Sequence, residues 1–202
     1  IIYSTKPNES QSMKYPPPPH PAPSAPSFIP PPGACDAHVH VFGPQKTFSY
    51  HPDRTYTPVD APKERLRELH GLLGFDRSVI VQATCHGTDN TATLDAITSS
   101  NGRWRGVAIV DETFSESDFE VLHAGGIRGI RFSFARHLSG PPNFERVHRI
   151  AEKIEGLGWH LVIYIEAQDI VEFKDDLCRF RLPIVFDHMV RVDLSKGLSS
   201  EP

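Results

Sequence analysis

The chain has 202 residues, a formal net charge of −4 and 39% hydrophobic residues, enough apolar material for one compact domain with a real core. It has no long run of one charge sign to suit a nucleic acid or a membrane surface, and apolar stretches such as Leu161 to Ile165 are far too short to span a bilayer. Three cysteines without a C-x-x-C spacing fit a reducing compartment better than a disulfide scaffold, so a cytoplasmic location is expected.

Of the 19 prolines, 11 lie between Pro7 and Pro32. Proline fixes φ and removes a backbone donor, so residues 1–32 are expected to form an extended, disordered, polyproline-II-like arm. A ligand for an SH3-type domain is the sharp alternative; composition favours a plain arm, and such a partner is not expected. Ile1 to Ser12 lacks an initiating Met, which makes Met13 the expected natural start. Residues 33–202 are expected to form the folded domain.

From Gly33 the pattern is regular. Short β-branched runs at Cys35–Val41, Ser78–Gln82, Arg105–Val110, Gly129–Phe134, His160–Ile165 and Ile184–Asp187 suit parallel strands covered on both faces. Leu66, Leu69 and Leu73 share one helical face between Pro62 and Gly74, a start and a stop signal. Asp89–Ser99, Glu116–Ala124 and Gln168–Cys178 read as weaker helices. Phe144, Val147, Ile150, Ala151 and Ile154 share a face behind Asn143, a predicted N-cap. Strand–helix alternation means an α/β fold. No G-x-G-x-x-G follows a strand, and polar residues collect at successive strand ends, which favours a (β/α)8 TIM-type barrel over a Rossmann sheet. Six of its eight strands are recognisable, so the barrel is expected to be incomplete.

Strand alternation sends His38 and His40 of DAHVH to one face. Two imidazoles there can bind one metal, polarise one carbonyl or position one water. His188, after the sixth strand, is a residue of the same kind. Arg131 points into the same mouth, where it would meet either a substrate carboxylate or a salt-bridge partner among Asp36, Asp187 and Glu166. Thr84, Tyr56 and Tyr164 add hydroxyl donors.

The blocks GACDAHVHVFGP, RTYTPVDAP, VIVQATCHGTDNTATLDAI, GGIRGIRFSF, GWHLVIYIEA and FDHMVRVD, in that order, resemble the 2-pyrone-4,6-dicarboxylate lactonase family of the amidohydrolase superfamily. The resemblance implies a (β/α)8 barrel that hydrolyses a carboxylated cyclic ester. His38, His40 and His188 would be catalytic and polarise the scissile carbonyl. Tyr56, Thr84, His86, Arg131, Tyr164 and Arg191 would hold a small anionic lactone. A further family arginine falls at His137. The resemblance also implies work without a divalent metal: His160 lies at the start of its strand, and no histidine follows the fifth. If zinc were bound, His38, His40 and His188 would be its ligands, with Glu166 a replacement oxygen ligand. The family's general base is an aspartate after an eighth strand. It is not seen before Pro202, so this chain is expected to be C-terminally truncated and inactive alone, with Asp187 a weak substitute base. A metal-dependent amide hydrolase or decarboxylase, or a truncated non-catalytic product, are the competing readings.

Overall fold

A computed structural model describes residues 15–134, 143–192, 195 and 197. His137 and Asp193 lie outside the described residues. Six parallel strands, β1 (Cys35–Val39), β2 (Arg77–Val81), β3 (Trp104–Ala108), β4 (Ile127–Ser133), β5 (His160–Tyr164) and β6 (Ile184–Phe186), pair in chain order. They form a curled half-barrel, the incomplete TIM-type architecture expected above. Between them run α1 (Lys63–Leu73), α2 (Thr91–Thr98), α3 (Glu116–Ala124) and α4 (Phe144–Ile154), then α5 (Ala167–Glu172) and α6 (Lys174–Cys178). The single helix expected over Gln168–Cys178 is thus two short ones, broken at Phe173 (φ −104°, ψ 22°). Residues 15–32 contain no helix or strand and are mostly exposed, and Arg65 of α1 donates to the Pro21 carbonyl.

Local signals explain the helix ends. Asn143 accepts from the Arg146 N–H at 3.0 Å and caps α4. Ser115 and Asp118 form a reciprocal capping box on α3. Gly74 ends α1 at φ +81°, a conformation that glycine adopts without a Cβ penalty. The main core, with Ile80, Ile130, Leu161 and Ile163 from the strands and Phe119, Ile150 and Ile154 from the helices, is sandwiched between sheet and helices. On the other sheet face Val79, Val81, Val107 and Val162 form a smaller cluster.

One irregularity matters for the site. Asp36 pairs with Ser78 and Val39 with Ile80, so β1 spends three residues where β2 spends two. Such a one-residue bulge reverses side-chain parity along the strand. Asp36 therefore reaches His70 of α1 in the helix layer, while His38 and His40, two and four residues on, meet the groups gathered on the opposite face.

Candidate active site

The His38 and His40 rings sit edge to face with centroids 5.1 Å apart, and His38 lies 5.3 Å from His188, which follows β6. Asp187 ties the cluster together. Its Oδ1 lies 3.1 Å from His38 Nδ1, and its Oδ2 accepts the Arg131 Nε–H at 2.8 Å. Arg131 and Asp187 are 6% and 3% exposed. Burial alone would raise the Asp187 carboxyl, but the His38 hydrogen bond and the Arg131 charge outweigh it and hold the group below the ordinary carboxylate range.

The partners fix which ring nitrogens carry protons. His40 Nδ1 is 2.7 Å from the Val81 carbonyl, which can only accept, so the proton sits on Nδ1. Burial pushes this imidazole down to about 4; at neutral pH its Nε2 is an acceptor. His38 uses Nδ1–H on the Asp187 carboxylate. Its Nε2 is buried with no hydrogen-bond partner among the described residues, a polar atom that a guest molecule can satisfy.

His188 stands on a left-handed turn, with φ of 52°, 49°, 52° and 55° at His188, Met189, Val190 and Arg191. A β-branched residue such as Val190 rarely adopts this region. Each such residue costs roughly 1–2 kcal/mol, and contacts to Tyr164 hold the turn. The Tyr164 ring meets His188 edge-on at 4.8 Å, and its hydroxyl accepts from Arg191 Nη1 at 2.6 Å. Burial lowers the His188 imidazole below its ordinary value. The Arg131 guanidinium lies 5.3 Å from the Tyr164 ring centre, within cation–π range.

Arg131 also lines a cavity of about 380 Å³ together with Arg54, Thr84, Ser133, Asn143 and Arg146. Thr84 Oγ1 donates to the Tyr56 hydroxyl at 3.4 Å, and burial raises that phenol to about 12, so it stays protonated as a donor. The structure thus brings His38, His40, His188, Arg131, Tyr164 and Arg191 together, with Thr84 on the neighbouring cavity wall and Tyr56 behind it, in contact with the Thr84 hydroxyl.

His86 is held by backbone groups. It is 2% exposed, its Nδ1 faces the Ser49 carbonyl at 3.2 Å, and its Nε2 accepts the Gly43 N–H at 3.3 Å. Both nitrogens clamp loops, and neither is left for a substrate. The chain turns tightly at Thr84–His86, so strand alternation does not extend that far. Asp187, weighed from sequence only as a salt-bridge partner or weak base, is the hub of the site; its place just before His188 is the signal. Arg54, two residues before Tyr56, lines the cavity without any sequence signal to mark it.

Among the described residues, the groups able to converge on a cation are His38, Asp187 and His188, whose ligand atoms lie within 4.8 Å of one another; His40 is not in that set. The set is a poor fit for a dication. Its carboxylate is already bound by the Arg131 guanidinium on one oxygen and by His38 on the other, and a second cation there meets direct repulsion.

A family model described as amidohydrolase matches residues 35–201. The chain is 48% identical over 179 residues to a 2-pyrone-4,6-dicarboxylate hydrolase of Comamonas testosteroni, covering 89% of this chain and 59% of that protein. It is 35% identical over 181 residues to a 4-sulfomuconolactone hydrolase of Rhizobium radiobacter, covering 89% and 60%. It therefore spans about three-fifths of the length of the curated relatives it matches. Its fold is similar to the crystal structure of a probable 2-pyrone-4,6-dicarboxylic acid hydrolase from Acinetobacter baumannii with citric acid bound, at a TM-score of 0.72 and 28% identity, covering 82% of this chain and 61% of that one.

Proposed function

The chain belongs to the amidohydrolase family, and from that premise we propose that its site binds a small anionic lactone and prepares its carbonyl for ring opening by water. The observation that carries this reading is the buried Asp187–Arg131 pair with half-buried His38 on its other oxygen, at the edge of a cation-lined cavity. When His38 takes up a proton, Nδ1–H stays on Asp187 and Nε2–H becomes a donor aimed at negative charge developing on a carbonyl oxygen. His40 keeps its Nε2 lone pair and accepts from the attacking water. His188 flanks His38 and closes the same space. Arg131, Tyr164, Thr84, Tyr56 and Arg191 hold carboxylate and ring oxygens. This division of labour needs no divalent metal, in keeping with the occupied Asp187 carboxylate.

Two relatives named for lactone hydrolysis support the substrate class, one for a pyrone dicarboxylate and one for a sulfonated lactone. The general base implied by the resemblance is not among the described residues, so binding is the decisive readout. Calorimetry of the chain with 2-pyrone-4,6-dicarboxylate, before and after chelation, tests the reading. Saturable binding that survives chelation and is lost in Arg131→Met and His38→Ala is the expected result. Binding that requires added zinc, or no binding at all, overturns it.

A further inference from the structure

Arg131 cannot by itself recognise a guest with two anionic groups, because one face of its guanidinium is already given to Asp187 at 2.8 Å. A dianion entering the 380 Å³ cavity needs a second cation. The cavity offers Arg54 and Arg146. Arg146 lies 3.6 Å from the Glu112 carboxylate and is drawn to the outer surface. Among the described residues, Arg54 has hydrogen bonds only to neutral oxygens: Nε donates to Thr57 Oγ1 at 2.8 Å and Nη1 to the His51 carbonyl at 3.0 Å. No carboxylate partner stands against it among the described residues. The same two bonds, with the Tyr50 ring 6.0 Å below the guanidinium carbon, fix the head group in place before any ligand arrives. Asp53 also lines the cavity, but it is exposed, where water screens its charge.

We infer that Arg54 is the second anion-binding residue of this cavity, reading the distal carboxylate or sulfonate of a dianionic ring while Arg131 holds the proximal one. The inference rests on the lactone-hydrolase reading for the kind of guest. Arg54 lines the cavity two residues before Tyr56, whose hydroxyl meets Thr84 on the cavity wall. The geometry makes the pair selective. A mono-anion is satisfied by Arg131 and leaves Arg54 in the state it already has. A dianion gains one further charge-assisted contact, of the strong kind that guanidinium and carboxylate make.

Non-hydrolysable probes separate this inference from the catalytic reading. Pyridine-2,4-dicarboxylate and pyridine-2-carboxylate are titrated by calorimetry into the full chain and into Arg54→Met, Arg54→Lys, Arg146→Met and Arg131→Met, with near-ultraviolet circular dichroism verifying each fold. The diacid is expected to bind the unmodified chain at least about tenfold more tightly than the monoacid, since one charged hydrogen bond is worth a factor of that order. Arg54→Met should abolish that preference while changing monoacid affinity less than about twofold, and Arg54→Lys should restore part of it. Arg131→Met should weaken both probes, and Arg146→Met neither. Equal loss for both probes in Arg54→Met, an unchanged diacid preference, a preference that disappears instead in Arg146→Met, or no binding of either probe to the unmodified chain overturns the inference. Arg54-dependent diacid binding by a chain that does not bind the lactone overturns the lactone reading and leaves the anion pair standing.

Discussion

His70 Nε2 lies 3.0 Å from Asp36 Oδ2, a hydrogen bond that ties α1 to the strand carrying both histidines of the site. The other Asp36 oxygen accepts the His38 backbone N–H at 3.2 Å, at the bulge that frees this donor from the ladder. Burial would raise the Asp36 carboxyl, but the His70 hydrogen bond and the His38 N–H together outweigh it and keep the group below its ordinary value. His70 is 3% exposed and packs against Phe75 and Trp104. A helix-layer pair thus braces the bulged strand that carries both histidines.

Removing His70 should therefore cost more than its own packing. His70→Ala leaves a cavity beside Trp104 and a half-buried carboxylate without its donor, together about 2–4 kcal/mol. The double variant His70→Ala/Asp36→Ala should cost less than the sum of the two single changes, by about 1 kcal/mol or more. Urea unfolding of the four proteins measures this coupling, and strict additivity would refute the link.

Asp187 is predicted to be the most sensitive charged position in the fold. Asp187→Ala strands the Arg131 guanidinium at 6% exposure, and breaking one side of a buried pair typically costs about 3–5 kcal/mol. Asp187→Asn keeps an acceptor oxygen and should cost visibly less. A loss under about 1 kcal/mol for the alanine variant would mean that the pair is wetter than the structure describes.

Acid should weaken the fold in two stages. His40 is held down to about 4 by burial, against an ordinary value of 6.5. Between those values the unfolded chain binds the proton and the folded chain does not, so stability falls as pH drops from 6.5 toward 4, by about 3 kcal/mol for this group. His86 and His160, also lowered by burial, add to the same slope. Asp36 and Asp187, both lowered, begin to contribute only below about 4. His40→Asn, whose amide can still donate to the Val81 carbonyl, should flatten the upper stage. Denaturant midpoints that stay level from pH 7 to 5 in the unmodified chain would contradict the assignment of a neutral His40.

The left-handed turn after β6 provides a gain-of-stability test. Met189 has φ of 49° and is 77% exposed, so its side chain contributes little packing while its backbone is strained. Asparagine tolerates this region far better, and Met189→Asn should raise stability by about 0.5–1 kcal/mol in thermal or urea unfolding. A neutral or destabilising result would show that the turn is not strained at this residue.

Much of the frame was readable before the structure. The strands are visible because parallel strands buried on both faces are continuous apolar runs, and Asn143 and Gly74 are visible because helix ends demand particular backbone partners. The His38/His40 pairing follows from alternation alone. The bulge at Asp36 does not, since it depends on how β1 registers against β2. Arg131 illustrates the same limit: alternation says which way it points, while the choice between a substrate and Asp187 depends on how far the sheet curls. The backbone contacts of both His86 nitrogens are not legible in the sequence, because the strand before it has already ended, and a loop arginine such as Arg54 has no periodicity to mark it.

That curl has a kinetic consequence. His38 and Asp187 stand about 150 residues apart in the chain, yet they touch at 3.1 Å. Each neighbouring strand pair closes a much shorter loop, and closure entropy grows with the length of the loop. The sheet can zip strand by strand, burying Trp104 and Trp159 early, before the first and last strand ends meet across its concave side. Ligand-binding competence should then appear in refolding as a distinct late phase, after tryptophan fluorescence has reached its native value.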